Sequence, residues 1–160
     1  MDKLFIIALI LSAMPISELR GGMPIAIAYA LKNNISLYFV FSVVVLMNLL
    51  GMLLGFFILD HLHEKLMKIQ RYKKFFEKRV SKLRKKTERV RKSYSSLGFI
   101  ALTTFVAIPL PGTGAWTGSF IAWILGLNRR KSILSISLGV LIAGIIVFIG
   151  TLGIFSLFKV

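Results

Sequence analysis

The stretch Pro15–Pro24 reads PISELRGGMP and interrupts an apolar run that begins at Leu4. The run resumes as Ile25–Leu31, passes a polar loop at 32–34 and continues as the long apolar segment Ile35–Leu59. Proline lacks a backbone N–H and glycine destabilises a helix interior, so this stretch predicts a break in an apolar helix.

The same order of segments recurs in the second half of the chain. Leu97–Ile108 is apolar, Pro109–Gly114 reads PLPGTG, and the apolar run resumes as Ala115–Leu127. A polar loop at 128–131 precedes the long apolar segment Ile133–Phe158. Broken hydrophobic segments at matching places in two halves are typical of transporters that bind substrate near the middle of the membrane.

Composition predicts an integral membrane protein. Hydrophobic residues make up 56% of the 160 residues, and the two long apolar runs exceed the roughly 20 residues that cross a bilayer. The absence of cysteine excludes disulfides and Cys-ligated metals. A cleaved leader over Met1–Met14 is the alternative for the first segment, but the matching segment in the second half favours a membrane-embedded one.

The positive charge is concentrated in two places. Of 21 Lys and Arg residues, 14 lie in 60–96 and three more in 129–131. Basic segments beside membrane spans mark the cytoplasmic face, which explains the block better than nucleic-acid binding does. We therefore expect 60–96 and 128–132 to be cytoplasmic, with no nucleic-acid partner. The basic segment predicts an amphipathic helix that either forms a coiled coil or lies on anionic lipid.

Each broken segment could cross the membrane once or return to the same face as a re-entrant hairpin. Its arms have 7 to 13 residues, so each covers only roughly 10–20 Å. A single crossing by the second segment would put 60–96 and 128–132 on opposite faces. Hairpins put both on one face, together with 17 of the 21 basic residues, as the positive-inside rule favours.

The predicted fold is therefore all-α, with two inverted repeats joined by the basic cytoplasmic linker 60–96. Each repeat contains one re-entrant hairpin and one transmembrane helix: hairpin 4–31 and helix 35–59 within 1–59, then hairpin 97–127 and helix 133–158 within 97–160. One crossing in each half turns the second half upside down relative to the first. Because non-helical backbone at membrane depth must be covered by protein, we also expect a homo-oligomer.

Glu18 and Arg20 are the only charged residues in the predicted membrane-embedded segments. Ionisable groups at that depth indicate a functional site. The structural alternative is that the two neutralise each other, or pair with the opposite hairpin, and hold the fold together.

The breaks supply the other candidate binding residues. The arm that starts after Gly114 presents free N–H groups and the positive end of its dipole, which suits an anion, and the arm after Gly21 and Gly22 offers the same. Close helix packing is the alternative for these glycines. Asn48 is a candidate on the long helix. The remaining candidates are Pro109, Pro111, Gly112, Thr113 and Thr117.

No group of residues has the types and spacing of a known catalytic site, so we do not expect an enzyme. His61 and His63 are two residues apart and diverge on a helix, unlike the i, i+4 pair of a zinc site. We expect no metal and no cofactor.

The two breaks, PISELRGGMP at Pro15–Pro24 and PLPGTGAWTG at Pro109–Gly118, resemble the paired motifs of the small multidrug export protein family. The resemblance covers both halves but not the basic linker. It implies a membrane protein that exports small molecules.

The hairpin plan also resembles that of the DedA/VTT membrane proteins. This similarity implies proton-coupled transport, or movement of phospholipid and polyprenyl-phosphate carriers between leaflets. Glu18 matches the acidic residue of their first hairpin. Their second hairpin carries arginines, whereas Leu97–Leu127 has no charge here; Arg20 could substitute from the first hairpin.

The leading hypothesis is a small secondary transporter, coupled to protons or ions, with Glu18 as the coupling carboxylate and Arg20 as its partner. The expected partners are membrane lipid and a small-molecule or lipid substrate. The alternatives are a lipid-phosphate flippase or scramblase, and a scaffold that acts through the basic helix.

Overall fold

The computed structural model describes residues 3–70, 73–74 and 95–157. Within these ranges the protein is all-helical, with no strand, as predicted. Its helices are α1 (Lys3–Ala13), α2 (Glu18–Lys32), α3 (Leu37–Leu66), α4 (Ser95–Ala107), α5 (Ala115–Ile124) and α6 (Arg129–Leu157). The predicted basic helix falls largely on residues 71–72 and 75–94, which lie outside the described residues.

Helices α3 and α6 are long and apolar enough to cross a membrane. At 30 and 29 residues, each extends about 45 Å, more than the roughly 30 Å of a hydrocarbon core. Both are longer than predicted. Helix α3 runs seven residues past Leu59, and α6 takes in the basic residues 129–131, which were predicted as a loop.

An acidic side chain from α3 explains why cations occupy the first turn of α6. Cations are unfavourable at a helix N-terminus, but Asp60 forms an ion pair with Arg129. The Arg129 guanidinium also lies 4.1 Å from the Phe56 ring centroid, and Asp60 Oδ1 accepts a 2.8 Å hydrogen bond from Trp123 Nε1. This group of contacts fixes the end of α3 to the end of α5 and the start of α6.

Helices α3 and α6 run antiparallel. Asp60 of α3 meets Arg129 of α6 at one end of the bundle, whereas Phe41 packs on Phe148 towards the other, with ring centroids 5.3 Å apart. Between these points, Gly144 lies against Phe41 and Val45. The end of α3 and the start of α6 therefore lie at the same end of the bundle.

The first broken segment folds back on itself. Helices α1 and α2 pack side by side, with the Phe5 and Tyr29 rings stacked at 5.1 Å. Gly22 lies so close to α1 that a Cβ there would overlap the Ser12 hydroxyl. The break is shorter than predicted, because α2 begins at Glu18 and includes Pro24. Close packing against α1 and the need to pair backbone groups in apolar surroundings favour helix over coil here.

The second broken segment is more open. Helix α4 packs mainly on α6 and only lightly on α5, whereas α5 packs mainly on α3 and α6. Ser135 Oγ of α6 donates to the Phe99 carbonyl of α4 at 2.8 Å and lies 2.9 Å from Thr103 Oγ1. The first halves of α4 and α6 thus lie side by side, and both helices start at the same end of the bundle.

Cysteine labelling of this Cys-free chain tests the arrangement. We expect Lys65→Cys and Lys131→Cys to react with a membrane-impermeant maleimide from one side of a sealed vesicle, and Asn33→Cys from the other. All three side chains are exposed, and α3 separates Asn33 from Lys65. Labelling of Lys65→Cys and Lys131→Cys from opposite sides would contradict the antiparallel packing of α3 and α6.

Candidate functional site at the two helix breaks

The two breaks meet about halfway along α3. Gly51, near the middle of that helix, leaves room for the Ala13 carbonyl at the end of α1 and for the indole of Trp116 at the start of α5. Gly55, one turn further, faces the same indole ring. Glycine at both positions allows both broken segments to approach α3 at one level.

Glu18 lies at the N-terminus of α5. Its Oε1 accepts a hydrogen bond of 3.1 Å from the Trp116 backbone N–H, and the Ala115 N–H also faces the carboxylate. Gly114 makes this approach possible, since a Cβ there would overlap the carboxylate. The helix end predicted to suit an anion is therefore occupied by a carboxyl group of this chain, that of Glu18, which is only 5% exposed.

The backbone of Glu18 has φ +47°, in the left-handed region. Such conformations cost about 1–3 kcal/mol in a residue other than glycine and tend to cluster at functional sites. This residue begins α2 immediately after the break, so its unusual backbone positions the carboxylate towards α5.

Arg20 is the charged neighbour of Glu18. Its Nη2 lies 3.8 Å from Glu18 Oε2, within ion-pair range but beyond a hydrogen bond, and its side chain is 23% exposed. The pair forms although the two residues are only two apart on α2. Arg20 thus reaches towards the same carboxylate that α5 binds from the other side.

The end of α1 is capped by three different elements. The carbonyls of Leu11, Ser12 and Ala13 accept hydrogen bonds, in that order, from Ser17 Oγ at 2.6 Å, Asn48 Nδ2 at 2.9 Å and Trp116 Nε1 at 2.9 Å. The last carbonyls of a helix lack the usual N–H partner four residues on. The Glu18 carboxylate therefore accepts a hydrogen bond from the N-terminus of α5, and the Trp116 indole of α5 donates one to the C-terminus of α1.

A small cavity lies at this junction, with room for about one water molecule. Glu18, Arg20, Asn48 and Gly114 line its polar side. Its opposite wall is apolar and comes from α4 and α6, including Val106, Val140 and Ala143. The structure brings these four candidate residues together around one small pocket.

The remaining candidates lie elsewhere. Gly21 and Gly22 are inside α2, where Gly22 packs on α1. Thr113 Oγ1 bonds within its own break, to the carbonyls of Ile108 and Leu110. Thr117 is on α5 and does not line the cavity. The last three candidates form the outer turn of the second break: Pro109, Pro111 and Gly112. Gly112 has φ +84° there.

Sequence reasoning did not find the capping partners. Trp116, just after the second break, packs on Gly51 and Gly55 and also donates a hydrogen bond to the Ala13 carbonyl. For Asp60 an available signal was its position just after the long apolar segment Ile35–Leu59, with cations at 129–131 expected on the same face. Ser17 carried no signal of its own.

In the part of the chain that the structure describes, the fold and the junction define an all-helical protein with two membrane-length helices and a buried carboxylate between two helix breaks. The profile of the family described as "Putative small multi-drug export protein" matches residues 18–146. The chain belongs to this family, as its motifs indicated. Family membership and the two long apolar helices support a membrane location. The family is one of export proteins, which is not an enzyme class.

No curated protein and no solved structure is significantly similar to the chain.

Removing the indole N–H of Trp116 tests the capping of α1. In Trp116→Phe the Ala13 carbonyl loses its donor in apolar surroundings, and we expect a loss of about 1–3 kcal/mol in unfolding free energy. The matched control is Trp123→Phe, whose indole N–H binds the half-exposed Asp60 and can be replaced by water. Thermal unfolding in detergent compares the two; equal losses would contradict the assignment.

Proposed function

We propose that the protein is a small secondary transporter, coupled to protons or ions, whose site lies between two re-entrant hairpins. The observation that carries the proposal is the buried carboxylate of Glu18, which belongs to the first broken segment and binds the helix N-terminus of the second. Export of small molecules accords with the family description.

Several features support the hairpin topology. The arms α1, α2, α4 and α5 have 10 to 15 residues, so each covers about 15–23 Å and none spans a hydrocarbon core of roughly 30 Å. Both breaks lie near the middle of α3, and α3 and α6 run antiparallel. This arrangement is what an inverted repeat predicts.

The charge of the Glu18 carboxylate affects how firmly α5 is held in place. As a carboxylate it accepts hydrogen bonds from the start of α5, faces the positive end of that dipole and attracts Arg20. Charge-assisted hydrogen bonds of this kind contribute about 1.5–3 kcal/mol. Neutralising Glu18 removes much of this attraction, which corresponds to about a tenfold or larger change in the population of the closed junction.

The described conformation is a closed one. Its cavity has room for about one water molecule, far below the roughly 300 Å³ of a drug-sized site. A substrate therefore enters only after the breaks part. The Glu18 carboxylate would then be available to a proton or to a cationic group of the substrate, and competition between the two provides coupling.

The tips of the breaks support a homo-oligomer. Ile16 is 93% exposed and Leu110 is 56% exposed, and both belong to non-helical backbone at the level where the breaks meet. Such backbone requires protein cover within a bilayer. A second copy of the chain would provide it.

The transport assay compares Glu18→Gln with wild type in sealed proteoliposomes. Ethidium serves as a cationic small-molecule probe and an imposed pH gradient as the driving force. The substituted amide keeps an acceptor for the Trp116 N–H but cannot lose a proton, so we expect coupled flux to fall at least about tenfold. The protein should stay folded, with an unfolding temperature lowered by the loss of the charge-assisted contacts. Glu64→Gln, at an exposed carboxylate near the end of α3, is the control and should retain flux.

The outcome separates the other hypotheses. Unchanged flux in Glu18→Gln would refute the coupling role. Movement of a fluorescent phospholipid that depends on Arg20, without ethidium flux, would indicate a flippase. Loss of function on deleting residues 66–92, combined with full function of Glu18→Gln, would indicate the scaffold.

A further inference from the structure

Asn48 has an unpaired buried oxygen at the same junction. The side chain is 1% exposed, and Nδ2 donates to the Ser12 carbonyl at 2.9 Å. This bond fixes the orientation of the amide, because the reversed orientation would place two oxygens together. Oδ1 has no hydrogen-bond partner among the described residues.

An unpaired buried acceptor points to a donor that the protein itself does not supply. Leaving such a group unsatisfied costs about 1–3 kcal/mol, and most buried polar atoms are paired, some of them with ordered water. Asn48 lines the cavity beside Glu18. With Nδ2 bound to the Ser12 carbonyl of α1, Oδ1 is the acceptor that Asn48 leaves without a partner.

The chemistry of the cavity selects the ligand. Asn48 Oδ1 and the Glu18 carboxylate are both acceptors, so the ligand must donate hydrogen bonds or carry positive charge. A cation would face the Arg20 guanidinium, itself 3.8 Å from Glu18, and the positive end of the α5 dipole. Water donates two hydrogen bonds without charge and matches the available volume.

We infer that one buried water molecule bridges Asn48 Oδ1 and the Glu18 carboxylate and forms the last step of the proton path to Glu18. This inference deepens the proposed coupling role and rests on it. In the charged state the water donates to both oxygens. When a proton arrives through the water, Glu18 becomes a neutral acid, its O–H donates to the water oxygen, and the water still donates to Asn48.

Asn48 is thus a positioning residue. A water that donates to Asn48 Oδ1 is a better acceptor for the Glu18 O–H, and this favours the neutral form of Glu18. Arg20 and the N-terminus of α5 stabilise the charged form. Among the residues that line the cavity, α3, α4, α5 and α6 contribute no ionisable side chain. The balance between the two forms of Glu18 therefore depends on Arg20, the α5 terminus and the water held by Asn48.

Infrared difference spectroscopy tests the water without relying on transport. The probe is the C=O band of a protonated carboxyl group that disappears in Glu18→Gln, followed against pH in phosphatidylcholine vesicles. Asn48→Leu removes the acceptor and destabilises the neutral acid, so its midpoint should fall by about 0.5–1 pH unit. Asn33→Leu is the matched control: Asn33 Nδ2 also donates to a helix carbonyl, that of Tyr29, but Asn33 is exposed and outside the cavity.

Ala143→Val provides a second variant that leaves Asn48 and its bond to Ser12 unchanged. The added methyl groups fill the cavity from the α6 wall and exclude the water. Because the excluded water no longer donates to the Glu18 carboxylate, the midpoint of this variant should rise. This variant tests the inference if Asn48→Leu fails to fold. An unchanged midpoint in folded Ala143→Val, or a Glu18 band that does not titrate, overturns the inference.

The two proposals fail in different ways. Lost flux in Glu18→Gln together with unchanged midpoints in Asn48→Leu and Ala143→Val refutes the water and leaves the transporter. Shifted midpoints together with normal flux in Glu18→Gln keep the water and refute the coupling role.

Discussion

Helix ends without access to water constrain this protein more than any other feature. A break in an apolar helix leaves N–H groups and carbonyls that must find partners within the protein. Here the ends satisfy each other: the Glu18 carboxylate caps α5, and the Trp116 indole caps α1. Ser17 and Asn48 also cap α1, but Glu18 and Trp116 each cap a helix of the other broken segment, so the two breaks depend on each other.

Small residues make these contacts sterically possible. Gly114 admits the carboxylate to the helix end, and Gly51 and Gly55 hold the indole between them. The two broken segments use this freedom differently. Helices α1 and α2 pack on each other, whereas α5 depends on the long helices and on Glu18 for its position. A change in the charge of Glu18 therefore acts first on α5.

The structural and functional interpretations of Glu18 are compatible. A carboxylate that only held the fold could be replaced by a neutral acceptor, since buried charges are costly to retain. A carboxylate that holds two segments together while it is charged makes the strength of that contact depend on one proton. The strained backbone of Glu18 and the unpaired oxygen of Asn48 lie at this contact, which is where a coupling mechanism would be built.

The sequence by itself determined the local features: the all-α class, the two long apolar helices, the existence of the two breaks, and Glu18 and Arg20 as the charges between them. These follow from hydropathy, from proline and glycine, and from the scarcity of embedded charge, all of which act over a few residues. Family membership was likewise visible in the two break motifs. Only the tertiary structure decided that Gly21, Gly22 and Pro24 are helical, and that Glu18 binds the start of α5, 98 residues away. A cap of that kind depends on which helix end packing brings near, and no local pattern of residues encodes it.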